Sequence, residues 1–196
     1  MRIIAGAARG IHLKSIKGLQ TRPITDNIKE SLFNILTNVI PDSIMLDLYA
    51  GTGAIGIEAL SRGAKYCTFV EIDREAIEVI KKNLETTKLK DKAQVLRCDV
   101  LEIIPYLEKD NLKINIVFAG PPYPLVDKSP YRDKLLILFD NLCSSNIVQA
   151  DGILILQHTK SDFTIPVEAH NLDLYDVRVY GDTQLSFFKN KINELK

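Results

Sequence analysis

Short apolar runs alternate with amphipathic stretches through the middle of the chain. The apolar runs are, in order, IMLDLY, YCTFVEID, AQVLRCD, INIVFAG and GILILQH. Runs of this length, bounded by polar residues and glycine, predict buried strands. Between them lie stretches such as REAIEVIKKNLETT, where Ile77, Ile80 and Leu84 recur at helical spacing and predict a helix. This alternation indicates an α/β fold in which helices cover a mostly parallel sheet.

The two ends of the chain depart from this alternation. Residues 2–16 (RIIAGAARGIHLKSI) predict two short strands around a glycine-containing turn, a small β-hairpin. A helix follows in TRPITDNIKESLFNIL, where Thr25 or Asp26 can cap the first turn. The apolar positions on one face of this helix are Ile28, Leu32, Ile35, Leu36 and Val39. The closing segment, LDLYDVRVYGDTQLSFFK, predicts two antiparallel strands that turn at Gly181, which completes a seven-stranded sheet.

Size and composition suit one compact domain, since the 196 residues are 46% hydrophobic. We predict a β-hairpin extension over residues 1–20 and a main domain over residues 21–196. The odd number of cysteines (Cys67, Cys98 and Cys143) favours reduced thiols in the cytoplasm, and their spacing predicts no metal site. No signal peptide is recognisable, and no apolar run approaches the roughly 18 residues of a membrane span.

Charge is balanced over the whole chain, at 25 basic and 25 acidic residues, but it is unevenly distributed. The first 40 residues contain six basic residues against Asp26 and Glu30. The six basic residues are Arg2, Arg9, Lys14, Lys17, Arg22 and Lys29. A basic segment on an otherwise acidic chain suits contact with phosphates, although a solvated charged face explains the same pattern equally well.

A glycine-rich stretch, LDLYAGTGAIGIEAL, joins the first buried strand to the next helix and contains Gly51, Gly53 and Gly56. Such a loop lets the main chain approach a nucleotide-containing ligand above a helix N-terminus. Glu71 ends the following strand, where its carboxylate could accept hydrogen bonds from ribose hydroxyls. By itself this glycine spacing is a weak signal, because it also fits a nicotinamide dinucleotide or a purely structural loop.

Three further features favour S-adenosylmethionine as the ligand. Asp47 precedes the loop by four residues, and its negative charge suits a sulfonium cation better than a pyrophosphate. Asp99 ends the third strand, where a carboxylate could accept a hydrogen bond from the adenine amino group. Pro-Pro-Tyr, residues 121–123, ends the fourth strand, so four carboxyl ends would line one crevice.

On these motifs the chain resembles the bacterial RsmD-type methyltransferases, which methylate the exocyclic N2 of a guanine in small-subunit (16S) ribosomal RNA. The motifs are RIIAGAARG, TRPITDNIKESLFNIL, LDLYAGTGAIGIEALSRGA, FVEIDREAIEVIKKNL and VYGDTQLSFF, and they extend over nearly the whole chain. The resemblance implies a Rossmann-like class I S-adenosylmethionine-dependent methyltransferase. Its expected partner is the small ribosomal subunit or an assembly intermediate, which a single small domain could reach as a monomer.

The resemblance also implies roles for individual residues. The cofactor-binding residues would be Asp47, Ala50, Gly51, Thr52, Gly53, Glu71, Ile72, Asp99 and Val100. The target-base site would consist of Gly120, Pro121, Pro122 and Tyr123. The RNA-binding residues would be Arg2, Arg9, Lys14, Arg22 and Thr25.

Gly120 departs from the family pattern, in which Asp or Asn precedes Pro-Pro-Tyr. In that pattern the Asp or Asn side chain takes one hydrogen of the amino group, a proline carbonyl takes the other, and the tyrosine stacks on the base. Loss of one well-placed polar group lowers a catalytic rate by about 10²–10³-fold. We therefore expect intact cofactor binding with weakened catalysis, unless the Gly120 carbonyl or Asp127 replaces the missing group.

Other functions stay open at this point. A DNA adenine-N6 methyltransferase would use the same Pro-Pro-Tyr site, although the chain has no region long enough for a separate DNA-recognition domain. A cofactor-binding RNA assembly factor without catalysis is also compatible with Gly120, and a dehydrogenase is a more distant alternative. The histidines, His12, His158 and His170, show no ligand spacing and are assigned no role.

Overall fold

The computed structural model describes residues 1–16, 24–126, 129–161 and 163–191 of the chain. Arg22 and Asp127 lie outside these ranges, so their predicted roles stay predictions. The helices are α1 (Asp26–Ile35), α2 (Ala54–Ser61), α3 (Arg74–Thr87), α4 (Ile104–Asp110), α5 (Tyr123–Val126) and α6 (Ser129–Ser144). The strands are β1 (Ile44–Leu48), β2 (Tyr66–Glu71), β3 (Ala93–Arg97), β4 (Ile114–Ala119), β5 (Val148–Thr159), β6 (Leu172–Tyr180) and β7 (Thr183–Asn190). Among the helices in these ranges, none is long and apolar enough to cross a membrane.

The seven strands form a mostly parallel sheet in the order β3-β2-β1-β4-β5-β7-β6. The predicted α/β fold, with its seven strands and antiparallel closing hairpin, is confirmed. The chain divides into two compact units, Met1–Val100 and Leu101–Lys196. The sequence-based division into residues 1–20 and 21–196 stays a prediction.

The first unit contains three parallel strands. Leu48 of β1 lies opposite Val70 of β2, and Glu71 of β2 lies opposite Arg97 of β3. Because the strands run in the same direction, their carboxyl ends meet at one edge of the sheet. The loops that follow these ends, which contain most of the predicted cofactor residues, therefore leave from the same edge.

Helix α1 begins at its predicted cap, where Thr25 Oγ1 accepts the N–H of Ile28 at 3.4 Å. Leu32 and Leu36 are buried as predicted, but Ile35 is 38% exposed and Phe33 is buried instead. A helix turns by about 100° per residue, so an inward stripe centred between Leu32 and Phe33 turns Ile35 towards solvent.

The N-terminal segment, residues 1–16, forms a hairpin with shorter strand pairing than the sequence predicted. One antiparallel bridge pairs Arg2 with His12, and Ile3 N–H donates to Ile11 O at 2.9 Å. Gly6, with a φ of +84°, turns the chain against α2, where an added Cβ would lie 1.8 Å from Ser61 O. The strand pairing is short because other main-chain groups of this segment bond to α2 and α3, as described below.

In the second unit, β4 and β5 are parallel, and Ala119 lies opposite Leu156 at the end of their pairing. Strand β7 is antiparallel to both β5 and β6. The turn between β6 and β7 contains Gly181 at a φ of +60°, as predicted. The core of this unit includes three buried phenylalanines: Phe139, Phe187 and Phe188.

Candidate functional site

The loop between β1 and α2 turns sharply at its glycines. Gly51 and Gly53 have φ angles of +57° and +77°, in the left-handed region that favours glycine. Gly53 N–H donates to Ala50 O at 2.7 Å and closes the turn at the start of α2. A Cβ on Gly53 would lie 3.2 Å from Ile57 Cδ1 and 3.3 Å from Ile80 Cγ2, so the space beside it is already filled.

Gly56 has a different role from the two loop glycines. It lies inside α2, where an added Cβ would stand 2.3 Å from the Phe69 ring and 2.6 Å from Cys67 Sγ. Its missing side chain therefore lets α2 approach β2 closely. The sequence pattern did not separate this packing glycine from those that shape the loop.

Asp47 is buried in β1, with 2% of its surface exposed, and bonds to the first turn of α2. Its Oδ2 accepts the N–H of Gly56 at 2.9 Å, one of the first-turn N–H groups that a helix leaves unpaired. Burial raises the pKa of Asp47 from 3.8 to about 8; the Gly56 hydrogen bond opposes this shift and the charge of Glu71 adds to it. A nearby cation would favour the ionised carboxylate and lower that pKa again.

Glu71 holds the loop from the end of β2. Its Oε2 accepts the N–H of Gly51 at 2.8 Å, while its Oε1 accepts those of Ile72 at 2.8 Å and Asp73 at 3.0 Å. The predicted interaction with a ribose would compete with these bonds or add to them. The neighbouring Ile72 is 59% exposed, so a large apolar side chain is available beside the loop.

The remaining predicted cofactor residues differ in exposure. Asp99 is exposed just after β3, whereas Val100 is buried at the start of a single 3-10 turn, Val100–Glu102. Ala50 is buried and Thr52 is half-buried. The structure thus gathers the loop, Glu71 and the residues after β3 at the carboxyl edge of the first unit's strands.

A buried ion pair anchors the N-terminal segment to α2. Glu58 and Lys29 have fully buried side chains whose Nζ and Oε2 atoms are 3.2 Å apart. Glu58 also accepts the N–H groups of Ile4 at 2.8 Å and Ala5 at 3.0 Å, and the Nε–H of Arg62 at 2.8 Å. Glu58 was not among the predicted site residues, although a glutamate within the apolar helix AIGIEALS was a usable signal.

Asn83 links the same N-terminal segment to the glycine loop. Its Oδ1 accepts the N–H of Lys14 at 2.8 Å, and its Nδ2 donates to Lys14 O at 3.2 Å and to Thr52 O at 2.9 Å. Asn83 is 1% exposed and lies on the apolar face of α3. Its position three residues after Ile80 and directly before Leu84 could have identified it as a buried polar residue.

The predicted RNA-binding residues that the structure describes lie at the surface. Arg2, Arg9, Lys14 and Thr25 are all exposed. The side chain of Arg2 lies 3.9 Å from that of Asp26, an exposed pair that contributes little stability. Because other groups anchor the segment, its basic side chains are held on an ordered main chain.

The predicted target-base site lies in the second unit, at the end of β4. Gly120 follows the last strand residue, Pro121 is buried, and Pro122 and Tyr123 are half-buried. Pro122 O accepts the N–H of Leu125 at 2.9 Å. The prolines therefore lead directly into α5, with Tyr123 as its first residue.

The Tyr123 hydroxyl is held at its far end by two polar side chains. Tyr123 Oη lies 2.9 Å from Thr183 Oγ1 and accepts the Nε2–H of Gln157 at 3.1 Å. Gln157 belongs to β5 and is 5% exposed. Gln157 was also not among the predicted site residues, although it stands out as a polar residue within the apolar run GILILQ.

Comparisons with known proteins cover almost the entire chain. A family model described as "Conserved hypothetical protein 95" matches residues 1–189. The chain is 40% identical to Ribosomal RNA small subunit methyltransferase D of Haemophilus influenzae, over 97% of this chain and 94% of the relative. It is 34% identical to the protein of the same name from Escherichia coli K12, over 97% and 90%. A solved structure described as "Putative methyltransferase yhhF from Escherichia coli" has a TM-score of 0.79 and 30% identity, covering 97% of this chain and 98% of that one.

Proposed function

Since the chain belongs to the Conserved hypothetical protein 95 family, the RsmD family, we propose that it is a methyltransferase of small-subunit ribosomal RNA. More specifically, we propose that it methylates the exocyclic N2 of one guanine in 16S ribosomal RNA. The donor in this proposal is S-adenosylmethionine, and the substrate is the small ribosomal subunit or its assembly intermediate. The enzyme would act as a monomer.

The observation that carries this proposal is the glycine loop of the first unit, within a family match over residues 1–189. The loop approaches the carboxyl edge of the strands with its main chain, and Glu71 and the exposed Ile72 lie beside it. Buried Asp47 adds an electrostatic argument, because a neighbouring cation would stabilise its charged form and lower the pKa that burial raises. These residues suit a sulfonium-containing nucleoside.

When bound, S-adenosylmethionine supplies the methyl group, which the guanine N2 nitrogen takes in a direct displacement that leaves S-adenosylhomocysteine. Tyr123 offers a half-buried ring, fixed through its hydroxyl, on which an extruded base can stack. Because Pro122 O already accepts a hydrogen bond from Leu125, we assign Pro121 O to hold one hydrogen of the amino group. The proton released from the amino group passes to solvent.

Gly120 provides no side chain for the second hydrogen, so we propose that catalysis is weaker than with Asp or Asn at this position. An Asp side chain could be accommodated there after a small movement. A Cβ on Gly120 would lie 3.1 Å from Phe118 Cε1, the far end of a side chain that needs to move by only a few tenths of an ångström.

The proposed RNA contacts are to phosphates and come from the anchored N-terminal segment. Arg2, Arg9 and Lys14 are exposed, and phosphate contacts of this kind position a protein without reading sequence. The matched test is Arg9→Ala against Arg9→Lys, with small-subunit binding measured over a range of salt. In Arg9→Ala, loss of one phosphate contact would reduce the slope of the logarithm of the binding constant against the logarithm of salt concentration by about one. Arg9→Lys would keep the contact and the slope.

The experiment that tests the function uses small subunits from cells that lack this family's activity, with methyl-labelled S-adenosylmethionine. The natural chain, Gly120→Asp and Tyr123→Ala are compared, and the label is mapped to its nucleotide. We expect label at N2 of one guanine with the first two proteins and almost none with Tyr123→Ala. Adenine-N6 label in a parallel DNA reaction would contradict the proposal. So would tight cofactor binding with no label from the natural chain or from Gly120→Asp.

A further inference from the structure

Gln157 provides a polar side chain beside Gly120, which has no side chain of its own. Ala119 and Leu156 are the last paired residues of β4 and β5, so Gly120 and Gln157 follow them at equivalent positions on adjacent parallel strands. Gln157 is buried after the fully buried Leu154, Ile155 and Leu156. A buried amide is unfavourable unless its polar atoms are hydrogen-bonded, which makes the placement of this side chain informative.

The two ends of the Gln157 amide face different groups. Its Nε2 donates to Tyr123 Oη at 3.1 Å. Its Oε1 lies 3.7 Å from the place that a Cβ on Gly120 would take. The Tyr123 hydroxyl accepts from Nε2 and shares a second hydrogen bond with Thr183 Oγ1, and this arrangement directs Oε1 towards position 120.

The carboxylate of an Asp at position 120 would begin one bond beyond that Cβ. Gln157 Oε1 therefore lies at contact distance from the space that the family's carboxylate occupies. Both groups present an acceptor oxygen, and both come from the carboxyl end of a strand. The amide differs in carrying no negative charge, so it provides a weaker acceptor than a carboxylate.

We infer that Gln157 Oε1 accepts a hydrogen bond from the exocyclic amino group of the target guanine and so replaces the side chain missing at Gly120. This inference rests on the proposed function, because it names the group that recognises the acceptor in that reaction. Gln157 touches the reacting amino group through Oε1 and holds the Tyr123 ring through Nε2. One side chain thus positions both the base and the platform on which it stacks.

A binding experiment without cofactor tests the contact itself. Guanosine monophosphate and inosine monophosphate differ only in the N2 amino group, and their dissociation constants are measured by NMR titration. One hydrogen bond predicts about a 2- to 10-fold preference of the natural chain for guanosine monophosphate. Gln157→Leu should abolish this preference, while Gln157→Glu, which keeps an acceptor oxygen, should retain it.

Thr183→Val is the matched control for an indirect effect. It removes the other hydrogen-bond partner of the Tyr123 hydroxyl and leaves Gln157 in place. The guanosine preference should survive in Thr183→Val if Oε1 contacts the amino group directly. Equal loss of the preference in Thr183→Val and Gln157→Leu, with unchanged melting temperatures, would overturn the inference.

A double-mutant cycle on methyl transfer provides the second readout. In the natural background Gly120→Asp should raise the single-turnover rate by less than about 10-fold, because Gln157 already occupies part of the role. In the Gln157→Leu background the same substitution should raise it by about 10²–10³-fold, the usual effect of one well-placed polar group. Equal gains in both backgrounds would show that the two positions act independently and would overturn the inference.

Failure of the role given to Gln157 and failure of the proposed function would produce different results. If the natural chain labels guanine N2 and Gln157→Leu keeps both its rate and its guanosine preference, only the role of Gln157 is wrong. If neither the natural chain nor Gly120→Asp labels RNA, the proposed function is wrong. The nucleotide titration then still decides whether Gln157 recognises the amino group.

Discussion

The glycine loop of the first unit and the Gly-Pro-Pro-Tyr turn of the second are held in place by opposite means. In the loop, side chains from other elements bond to the main chain: Glu71 to Gly51, and Asn83 to Thr52. In the turn, two prolines stiffen the main chain, and Tyr123 is held through its hydroxyl by Gln157 and Thr183. The shape of the first region thus depends on the side chains of Glu71 and Asn83.

This difference explains which positions can change without loss of the local structure. In the loop, loss of Glu71 or Asn83 would remove the side chain that bonds to Gly51 N–H or to Thr52 O. In the turn, Gly120 has a φ outside the left-handed region and space for a Cβ after a small shift of Phe118. The side chain at position 120 is therefore exchangeable, and an acceptor for the amino group can come from the neighbouring strand.

The largest expected effect comes from breaking the buried ion pair between Lys29 and Glu58. Glu58→Gln keeps the shape of the side chain but leaves the Lys29 ammonium buried without its counter-charge. We expect the free energy of unfolding to fall by about 3–5 kcal/mol, measured by chemical denaturation. Hydrogen exchange at Ile4 and Ala5 should rise with it.

The matched control is Glu78→Gln, because Glu78 pairs with Lys81 at a separation of 2.8 Å where both side chains are more than half exposed. Exposed pairs of this kind contribute little because solvent screens them, so stability should barely change. Similar losses for Glu58→Gln and Glu78→Gln would contradict the role given to burial.

Asn83→Ala should have the next largest effect, because it disconnects Lys14 and Thr52 from α3. Unsatisfied buried main-chain groups predict a loss of about 1–3 kcal/mol in the free energy of unfolding. We also expect weaker binding of S-adenosylmethionine, measured by calorimetry, since Thr52 belongs to the loop. Asn34→Ala, at an exposed position of α1, should change stability by less than about 0.5 kcal/mol. If Asn83→Ala binds S-adenosylmethionine as tightly as the natural chain, the Asn83 link between the N-terminal segment and the loop does not affect cofactor binding.

Asp47→Asn sharpens the comparison through its dependence on pH. The pKa of Asp47 is about 8 in the folded chain and 3.8 as its ordinary value, so its ionisation opposes folding. Its contribution to stability is fully present below about pH 4 and is lost as pH rises towards 8. Each unit by which the pKa differs between the folded and unfolded chain corresponds to about 1.4 kcal/mol in the free energy of unfolding. Asn keeps an acceptor for Gly56 N–H, so Asp47→Asn should remove this part of the pH dependence.

The same titration predicts how a cation binds. Affinity for S-adenosylmethionine should rise between pH 6 and pH 8 as Asp47 ionises, whereas the Asp47→Asn variant should show a flatter profile. S-adenosylhomocysteine, whose thioether sulfur carries no charge, would give the control profile. Parallel profiles for natural chain and variant would mean that the sulfonium lies too far from Asp47 to sense its charge.

The smallest effect is expected for Tyr123→Phe in the turn. The substitution removes two hydrogen bonds at a half-buried hydroxyl but keeps the ring and the prolines. A loss of about 1 kcal/mol in the free energy of unfolding is expected, together with a small loss in RNA affinity. A Tyr123→Phe protein that binds RNA as poorly as Tyr123→Ala would show that the hydroxyl, and not stacking, matters most.

Local patterns in the chain were sufficient for the succession of elements. Alternating apolar runs and amphipathic stretches predicted β1 to β5, because burial on both faces of a parallel strand requires a continuous apolar run, and the closing hairpin pattern predicted β6 and β7. The Thr25 cap and the Gly181 turn followed from the same local chemistry. The resemblance to the RsmD family, which rests on motifs spread over the chain, was likewise contained in the sequence and is confirmed.

Which polar residues support the sites depended on contacts between distant parts of the chain. Glu58 bonds to Ile4 and Ala5, more than 50 residues away, and Asn83 bonds to Lys14 and Thr52. Gln157 meets Tyr123 across 34 residues. A single sequence marks such residues only as polar positions in apolar surroundings, because their partners are chosen by strand order and helix packing. The sequence therefore determined the fold and the family, while tertiary structure decided which buried side chains shape the loop and what stands beside Gly120.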